Sequence, residues 1–276
     1  MNAFRISPKK SLGQNFLRDP NYVRKIATFL SIQADDAILE IGPGEGALTE
    51  VLVGRGRSLS VVDVDPRVTA GMHAMFGGGK VEIINEDFLQ MDLVAFSANH
   101  PGKVRIVGNI PYNITTPILF HVLDHRRQVS DVTIMVQREV ARRMAARPSG
   151  KEYGILSVLC GYWADVVLAF DVPPTAFYPR PRVTSTVVRL TMRDAPLVPV
   201  RDEDFFRAMV RAVFGKRRKT LRNSLRWFAE DRGLRIPAMS GMERRPEQLS
   251  IEELAELSDA ILANNRGVPV PGAPTS

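Results

Sequence analysis

The alternation of apolar and polar positions predicts strands and helices in turn along the first part of the chain. Short apolar runs, many of them β-branched, are typical of buried strands, and residues three and four positions apart form apolar helix faces between them. One helix begins at Asp19-Pro20, an N-cap followed by proline, and runs to about Leu30. The predicted strands are 37–41, 58–63, 81–85, 104–107 and 132–136. This order predicts an α/β fold with a doubly wound, Rossmann-like, mostly parallel sheet.

The pattern changes after residue 150. Residues 153–163 look helical, while 165–170 and 183–191 look like strands with no room for a crossover helix between them. We expect these two strands to pair as an antiparallel hairpin at one edge of the sheet. Their connection, 172–182, is proline-rich and therefore stiff.

Composition suggests a linker around 195–199 and a smaller helical region beyond it. We therefore predict a larger domain, 1–195, with a basic N-terminal arm (residues 1–18), followed by a smaller C-terminal helical domain, 200–264, and a disordered tail, 265–276. The C-terminal helices are expected at 204–214, 220–230 and 251–262, the last with Ser250 as its N-cap.

Composition narrows the class of protein. Hydrophobic residues make up 45% and charged residues 24%, which is ordinary for a globular protein, and the net charge of +7 favours an acidic partner. The single cysteine, Cys160, excludes a disulfide within the chain, and the four histidines show no metal-ligand spacing, so no metal is predicted. No apolar run approaches the roughly 20 residues that span a bilayer. Without a visible signal peptide, a cytoplasmic location is the default expectation.

The stretch Asn109-Ile110-Pro111-Tyr112 has the most specific chemistry. It follows the predicted strand 104–107, and ligands bind at the carboxyl ends of strands in open α/β sheets. The amine of adenine is a poor nucleophile because its lone pair is delocalised, and the Asn109 side-chain oxygen and the Ile110 carbonyl could hold its two hydrogens. Pro111 would fix the turn and Tyr112 would stack on the base. The alternative is an ordinary turn after a strand, with Tyr112 half buried.

Three consecutive predicted strands end in residues suited to an adenosine cofactor. Gly42, Gly44 and a third glycine two positions on have G-x-G-x-G spacing, not the G-x-G-x-x-G of dinucleotide binders. Asp63 ends the second strand, where an acidic residue takes ribose hydroxyls, and Asp87 follows the third, where it could accept from an adenine amine. No lysine follows the glycines, and Glu45 would repel a pyrophosphate. The pattern favours S-adenosylmethionine, and the alternative is a packing turn with solvated carboxylates.

With these residues in place, the chain resembles the bacterial small-subunit (16S) rRNA adenine N6,N6-dimethyltransferases. The resemblance runs from about residue 7 to 264, and the combination of motifs is highly specific although each piece singly is not. The matching segments are KSLGQNFL (10–17), EIGPGEG (40–46), NIPY (109–112), FYPRPRV (177–183), FGKRRKTLRNSL (214–225) and RPEQLS (245–250).

The resemblance implies a class I methyltransferase sheet and the transfer of two methyl groups to N6 of each of two adjacent adenosines near the 3′ end of small-subunit rRNA. It implies that Asn109 lies near the reacting centre and that Phe177 forms a second aromatic wall for the flipped adenine. The family usually has glutamate where this chain has Asp63, so that contact departs from the pattern. The implied cofactor residues are Asn15 and Leu17 at the methionine end, Gly42 and Gly44 at the turn, Asp63 at the ribose and Asp87 at the adenine.

Charge is segregated along the chain. Between Arg211 and Arg226 there are seven basic residues and no acid, whereas between Asp35 and Asp92 there are eleven acids and four bases. This segregation is expected if one face meets phosphates, and a solvated basic face is the alternative. The predicted RNA-binding residues are Lys216, Arg217, Arg218, Lys219 and Arg222.

The expected partner is 16S rRNA in an immature small ribosomal subunit, and the resemblance favours a monomer. An N6-adenine methyltransferase acting on large-subunit rRNA or on DNA is the alternative enzyme, because the same pocket would serve it. An RNA-binding assembly or transcription factor that keeps the fold without the reaction is the alternative from another class. The glycine spacing disfavours a nicotinamide-dependent oxidoreductase.

Overall fold

The computed structural model describes residues 4–100, 102–216 and 219–265, and its strands form one large and one small sheet. The strands of these residues are β1 (Phe16–Leu17), β2 (Ala37–Ile41), β3 (Ser58–Asp63), β4 (Glu82–Asn85), β5 (Val104–Asn109), β6 (Val129–Gln137), β7 (Ala164–Val172), β8 (Phe177–Tyr178) and β9 (Ser185–Met192).

The large sheet has the strand order β4-β3-β2-β5-β6-β9-β7. Strands β2 to β6 pair in parallel, and β9 pairs antiparallel to β6. The predicted α/β sheet, doubly wound and mostly parallel, is therefore confirmed, and the two strands after residue 163 lie at one edge of it as expected. The short strands β1 and β8 form a separate antiparallel pair.

Helices connect and follow the strands of the sheet. None of those in the described residues has the length and apolar character that crossing a bilayer requires. They are α1 (Pro20–Leu30), α2 (Ala47–Leu52), α3 (Pro66–Phe76), α4 (Leu93–Ala98), α5 (Thr115–Asp124), α6 (Arg138–Met144), α7 (Ile155–Trp163), α8 (Glu203–Phe214), α9 (Leu221–Arg232) and α10 (Ile251–Asn264).

Helix α1 shows how local sequence signals set an element's ends. The Asp19 side chain accepts a hydrogen bond from the Asn21 N–H at 2.8 Å, which caps the helix, and Pro20 occupies its first turn. The buried face consists of the four residues that the apolar periodicity predicts, Val23, Ile26, Ala27 and Leu30. The position of α1 matters because the N-terminal arm leads directly into it.

The described residues divide into two compact units. The first contains the residues up to Ala141 together with Asp165–Met192, and the second contains Arg142–Ala164 together with the residues from Arg193 onward. The predicted first domain, 1–195, thus includes a segment, 142–164, whose contacts lie mainly in the second unit. In that unit the Tyr162 ring of α7 packs on the Phe206 ring of α8, with centroids 4.8 Å apart.

The C-terminal helices lie where the sequence predicts them. Ser250 caps α10 by accepting from the Glu253 N–H, and the Glu253 carboxylate accepts from the Ser250 N–H in return. Asn265, assigned from the sequence to a disordered tail, is buried and bonds the backbone of Arg235. The rest of that predicted tail, 266–276, lies outside the described residues.

A buried arginine holds together the entry side of the sheet in the first unit. Arg105, near the start of β5, donates to Asp131 Oδ2 at 2.7 Å and to Asp36 Oδ2 at 2.6 Å. It also donates to the Leu30 carbonyl at the end of α1, at 2.7 Å. The guanidinium therefore ties α1, β5 and β6 together through charge-assisted hydrogen bonds.

We expect Arg105→Met to lower the free energy of unfolding by about 3–5 kcal/mol, because it leaves Asp131 buried without its partner. The measurement is urea unfolding at neutral pH. Arg57→Met, which removes an exposed arginine of the same unit, is the control and should have little effect. An unchanged midpoint for Arg105→Met would mean that this ion-pair network is dispensable for stability.

Candidate active site

A cavity of about 290 Å³ lies in the first unit at the carboxyl ends of β2, β3 and β5. Parallel strands end at the same edge of a sheet, so residues distant in sequence converge there. The N-terminal arm closes one side of the cavity, and the glycine turn after β2 closes another. The predicted site residues that line it are Asn15, Leu17, Gly42, Gly44, Asp63, Asp87, Asn109, Ile110, Pro111 and Tyr112.

The turn after β2 requires glycine. Gly42 and Gly44 have φ angles of 66° and 58°, in the left-handed region that strains other residues. A Cβ on Gly44 would also lie only 2.7 Å from the Phe16 ring. Phe16 therefore packs directly on the turn, a contact that sequence analysis missed because β1 is only two residues long.

The lining of the cavity is acidic. Five of the described lining residues are carboxylates, and none is Lys, Arg or His. Such a lining repels phosphate groups and attracts a positively charged ligand. No group of three or more His, Cys, Asp or Glu side chains in the described chain is arranged to hold a metal ion. The five carboxylates are Glu40, Glu45, Asp63, Glu86 and Asp87.

Four of these carboxylates, all but Glu45, have no ion pair within the described residues, and two of the four have raised pKa values. Glu40 is buried and accepts from Thr49 Oγ1 at 2.7 Å, and burial raises its pKa to about 7. Asp63 is half-buried and accepts from the Asp65 N–H at 2.8 Å, and desolvation raises its pKa to about 6. Because the fold disfavours both negative charges, a ligand that brings positive charge or hydroxyl donors would stabilise them.

Asp87 reaches the cavity from the loop after β4. Its Oδ1 accepts from the Leu89 N–H at 3.0 Å, a local turn that fixes the direction of the carboxylate. Asn85, the last residue of β4, donates to the Asp63 carbonyl at 2.8 Å and ties the ends of β3 and β4 together. Asp63 and Asp87 therefore lie on adjacent strand ends, as the sequence predicts.

The Asn109 motif is fixed from two sides. Asn109 is the last residue of β5, and its Nδ2 donates to the Asn15 carbonyl in the N-terminal arm at 2.8 Å. The Tyr112 hydroxyl is 2.6 Å from Ser185 Oγ on β9, and burial raises the pKa of this tyrosine. Ile110 is fully buried between them. The motif is thus a rigid part of the cavity rather than a mobile loop.

Phe177 does not line this cavity, and its role as a second aromatic wall stays a prediction. Its backbone pairs with Leu17 in the β1–β8 ladder, and its side chain is buried in the hydrophobic core. Side chains alternate along a strand, so the next residue, Tyr178, points outward and is half exposed. The Tyr178 ring lies under the Arg18 guanidinium, 4.1 Å from its central carbon.

The basic arm pairs with acids of the loops after β2 and β3, which the sequence alone does not predict. Arg18 binds the buried Glu45 through two hydrogen bonds of 2.8 and 2.7 Å, and Arg5 adds a third at 2.9 Å. Lys9 lies 3.5 Å from an oxygen of the buried Asp65. The sequence feature that could have indicated this pairing is the contrast between an acid-free arm and the acid-rich segment 35–92.

The predicted RNA-binding block lies in the second unit. Lys216, Lys219 and Arg222 are exposed, and Arg222 donates to Glu243 at 2.8 Å. Arg217 and Arg218 lie outside the described residues. Five residues further along α9 than Arg222, Trp227 exposes 60% of its surface, far more than is usual for tryptophan.

Comparison with known proteins gives a family and a fold. Residues 5–261 match the sequence profile of a family described as ribosomal RNA adenine dimethylase. The chain is 41% identical over 263 residues to the ribosomal RNA small subunit methyltransferase A of Moorella thermoacetica, covering 91% of each chain.

Two solved structures are similar over nearly the same extent. One is a dimethyladenosine transferase from Plasmodium falciparum, with TM-score 0.74, 23% identity, and 88% of this chain and 95% of that one covered. The other is the 23S rRNA methyltransferase ErmE, with TM-score 0.64, 29% identity, and 88% and 99% covered. The first likeness shows the fold alone.

The raised pKa of Glu40 predicts a pH-dependent effect of Glu40→Gln on stability. The folded state keeps Glu40 neutral at low pH, so its contribution is intact below pH 4.5 and is lost as pH rises through about 7. The variant should therefore gain up to about 3 kcal/mol in free energy of unfolding at pH 8 and little at pH 4. Unfolding at both pH values measures this, with the exposed Glu50→Gln as control. An equal effect at both values would contradict it.

Proposed function

The chain belongs to the ribosomal RNA adenine dimethylase family, and we propose that it dimethylates N6 of two adjacent adenosines near the 3′ end of 16S rRNA, with S-adenosylmethionine as methyl donor. Its substrate is an immature small ribosomal subunit during ribosome biogenesis, on which it acts as a cytoplasmic monomer. The observation that carries the proposal is the Asn109–Tyr112 motif, which lines an acidic cavity at the end of β5.

The residues of the cavity suit S-adenosylmethionine. When bound, this cofactor supplies a methyl group made electrophilic by a positively charged sulfur. The acidic lining suits that charge, and Gly42 and Gly44 carry no side chain that would fill the space. Asp63 and Asp87 provide acceptors for ribose hydroxyls and an adenine amine. The same lining argues against a nicotinamide dinucleotide, whose two phosphates would meet carboxylates and, within the described residues, no cation.

Asn109 provides the acceptor that the reaction needs. Its Nδ2 is committed to the Asn15 carbonyl, so Oδ1 remains for a ligand. Within the described residues no donor reaches this oxygen or the Ile110 carbonyl. Each can accept one hydrogen of the target amine, which directs the lone pair of N6 toward the methyl group. No strong base is required, because the amine becomes acidic once it has gained the methyl group.

Tyr112 provides a flat surface for the target base. The bond between its hydroxyl and Ser185 Oγ fixes the plane of the ring at the cavity wall. A base within structured RNA must be turned out of its stack to reach this ring, and aromatic stacking offsets part of that cost. Single-stranded loops, whose bases splay easily, are the suitable substrates.

Large-subunit rRNA remains the alternative substrate, since ErmE, named as a 23S rRNA methyltransferase, is 29% identical to this chain. The higher identity, 41%, to the small-subunit enzyme of Moorella thermoacetica favours the small subunit. A non-catalytic RNA-binding factor would have no need of an intact Asn109 and a tethered Tyr112.

The test is mass spectrometry of rRNA after incubation with the protein and S-adenosylmethionine. Immature small subunits, naked 16S rRNA and 23S rRNA are the three substrates. We expect dimethyladenosine at two adjacent positions near the 3′ end of the 16S rRNA in the immature subunits. Methylation of 23S rRNA alone would favour the alternative enzyme, and RNA binding without methylation would favour the non-catalytic factor. Calorimetry with NAD should show no binding.

Asn109→Ala should lower turnover by roughly 10²-fold or more, because it removes a preorganised acceptor for the target amine. Cofactor affinity should fall much less. Single-turnover transfer of radiolabelled methyl groups measures the first, and calorimetry measures the second. Asn99→Ala, at the exposed end of α4, is the control. Near-normal turnover by Asn109→Ala would exclude the role assigned to it.

Replacing Lys216, Lys219 and Arg222 together by alanine should weaken RNA binding and reduce the slope of log K against log salt by about 2, if the phosphates behave as a single strand. Cofactor affinity should not change. Titrations of RNA across a salt series measure the slope.

Tryptophan fluorescence gives a second readout of RNA binding to the second unit. Trp163 is only 7% exposed, so quenching by bound RNA should come from Trp227 and disappear in Trp227→Phe. The matched control replaces Arg55, Arg57 and Lys80, which precede β3 and β4 and so lie at the opposite edge of the sheet from the cavity. An equal slope change in this control would mean that the effect is one of net charge alone.

A further inference from the structure

The orientation of the Asn109 amide depends on the N-terminal arm. The Asn15 carbonyl can only accept a hydrogen bond, so the group that faces it must be the Asn109 NH2, at 2.8 Å. A flipped amide would place two oxygens against each other. The arm therefore decides that Oδ1, rather than Nδ2, is available to the target amine.

Two buried carboxylates pin the arm to the cofactor loops. Glu45 lies in the glycine turn and binds Arg18 through a two-pronged contact, with Arg5 on the same carboxylate. Such bidentate arginine–carboxylate pairs are strong and directional. Glu45 is thus the pin at the glycine turn.

The second pin is Asp65, two residues after Asp63. It accepts from Gln14 Nε2 at 3.2 Å and pairs with Lys9 Nζ at 3.5 Å. Arg67 donates to the same carboxylate at 2.6 Å and reaches the Ser7 carbonyl at 3.0 Å. The Arg67 guanidinium holds the pKa of Asp65 well below its usual range, so the pin is charged at all physiological pH values.

The two pins act on either side of the contact that they support. Gln14, which Asp65 holds, immediately precedes Asn15, and Arg18, which Glu45 holds, follows it by three residues. Between them, Phe16 and Leu17 pair with β8. The Asn15 carbonyl is therefore held from both sides by charged contacts that do not involve Asn109 itself.

We propose that Glu45 and Asp65 are positioning residues, which pin the N-terminal arm so that the Asn15 carbonyl directs the Asn109 amide oxygen toward the target amine. This inference rests on the methyl transfer proposed above. The arm is then more than a cover for the cofactor, because it links closure of the cavity to the geometry of the acceptor.

The experiment compares Asp65→Asn with Asp92→Asn. Both aspartates cap helices, α3 and α4, and asparagine is an equally good cap, so each variant loses charge while keeping the cap. Only Asp65 contacts the arm. Trypsin should cleave after Lys9 and Lys10 faster in Asp65→Asn than in the wild type or Asp92→Asn. Glu45→Gln is the second arm variant and should behave like Asp65→Asn.

Turnover at saturating cofactor and RNA is the decisive measurement. Asp65→Asn should lower it between about 10-fold and 100-fold, the effect of a misplaced catalytic contact. In an Asn109→Ala background the same change should have almost no further effect, because it acts through that amide. Asn109→Ser provides a second background.

Unchanged turnover of Asp65→Asn would overturn the proposal, and so would an equal loss with and without Asn109. A change confined to the KM of S-adenosylmethionine would mean that the arm only covers the cofactor, which also overturns it. Absence of methyl transfer by the wild-type protein would instead refute the proposed function.

Discussion

In a parallel sheet every strand ends at the same edge, and the site of this protein depends on that geometry. Strands β2 to β5 deliver the glycine turn, Asp63, Asp87 and Asn109 to one cavity although these residues are far apart in sequence. Arg105 secures the opposite end of the same strands by binding Asp131 and Asp36. The positions of the strand ends at the cavity thus depend in part on the buried ion pairs of Arg105 at the opposite ends of the strands.

Charge is the second organising feature, and the carboxylates of the cavity region divide by their partners. Glu45 and Asp65 are neutralised by bases of the arm and of α3, whereas Glu40 and Asp63 keep no cation within the described chain. The paired acids serve the protein's own assembly, and the unpaired acids are left for a ligand. A positively charged cofactor would stabilise the charged forms of Glu40 and Asp63, as the bases of the arm and of α3 stabilise those of Glu45 and Asp65.

Residues at or just after the end of a strand could be placed from the sequence, because an apolar run shows where each strand ends. These residues are Gly42, Asp63, Asp87 and Asn109. Phe177 could not be placed in this way, because its direction is set by pairing with Leu17 in a ladder of two residues, which no periodicity reveals. The acids that pair with the arm bases lie 27 to 56 residues away in the sequence. The sequence therefore shows that the arm is basic but does not show which acids it binds. Segment 142–164 precedes the linker and is therefore predicted to belong to the first domain, whereas its packing partners lie in the second unit.

The ribose contact proposed for Asp63 depends on the loop that carries it. The family resemblance implies a glutamate at this position, and aspartate is one methylene shorter. Here the Asp65 N–H holds one oxygen of Asp63 at 2.8 Å, so the direction of the carboxylate is set by its own loop rather than by side-chain length. That loop is in turn held by Asp65, whose side chain binds Arg67 and the arm. The acceptor proposed for the ribose and the pin proposed for the arm are therefore parts of one turn, so a change at either residue should also displace the other.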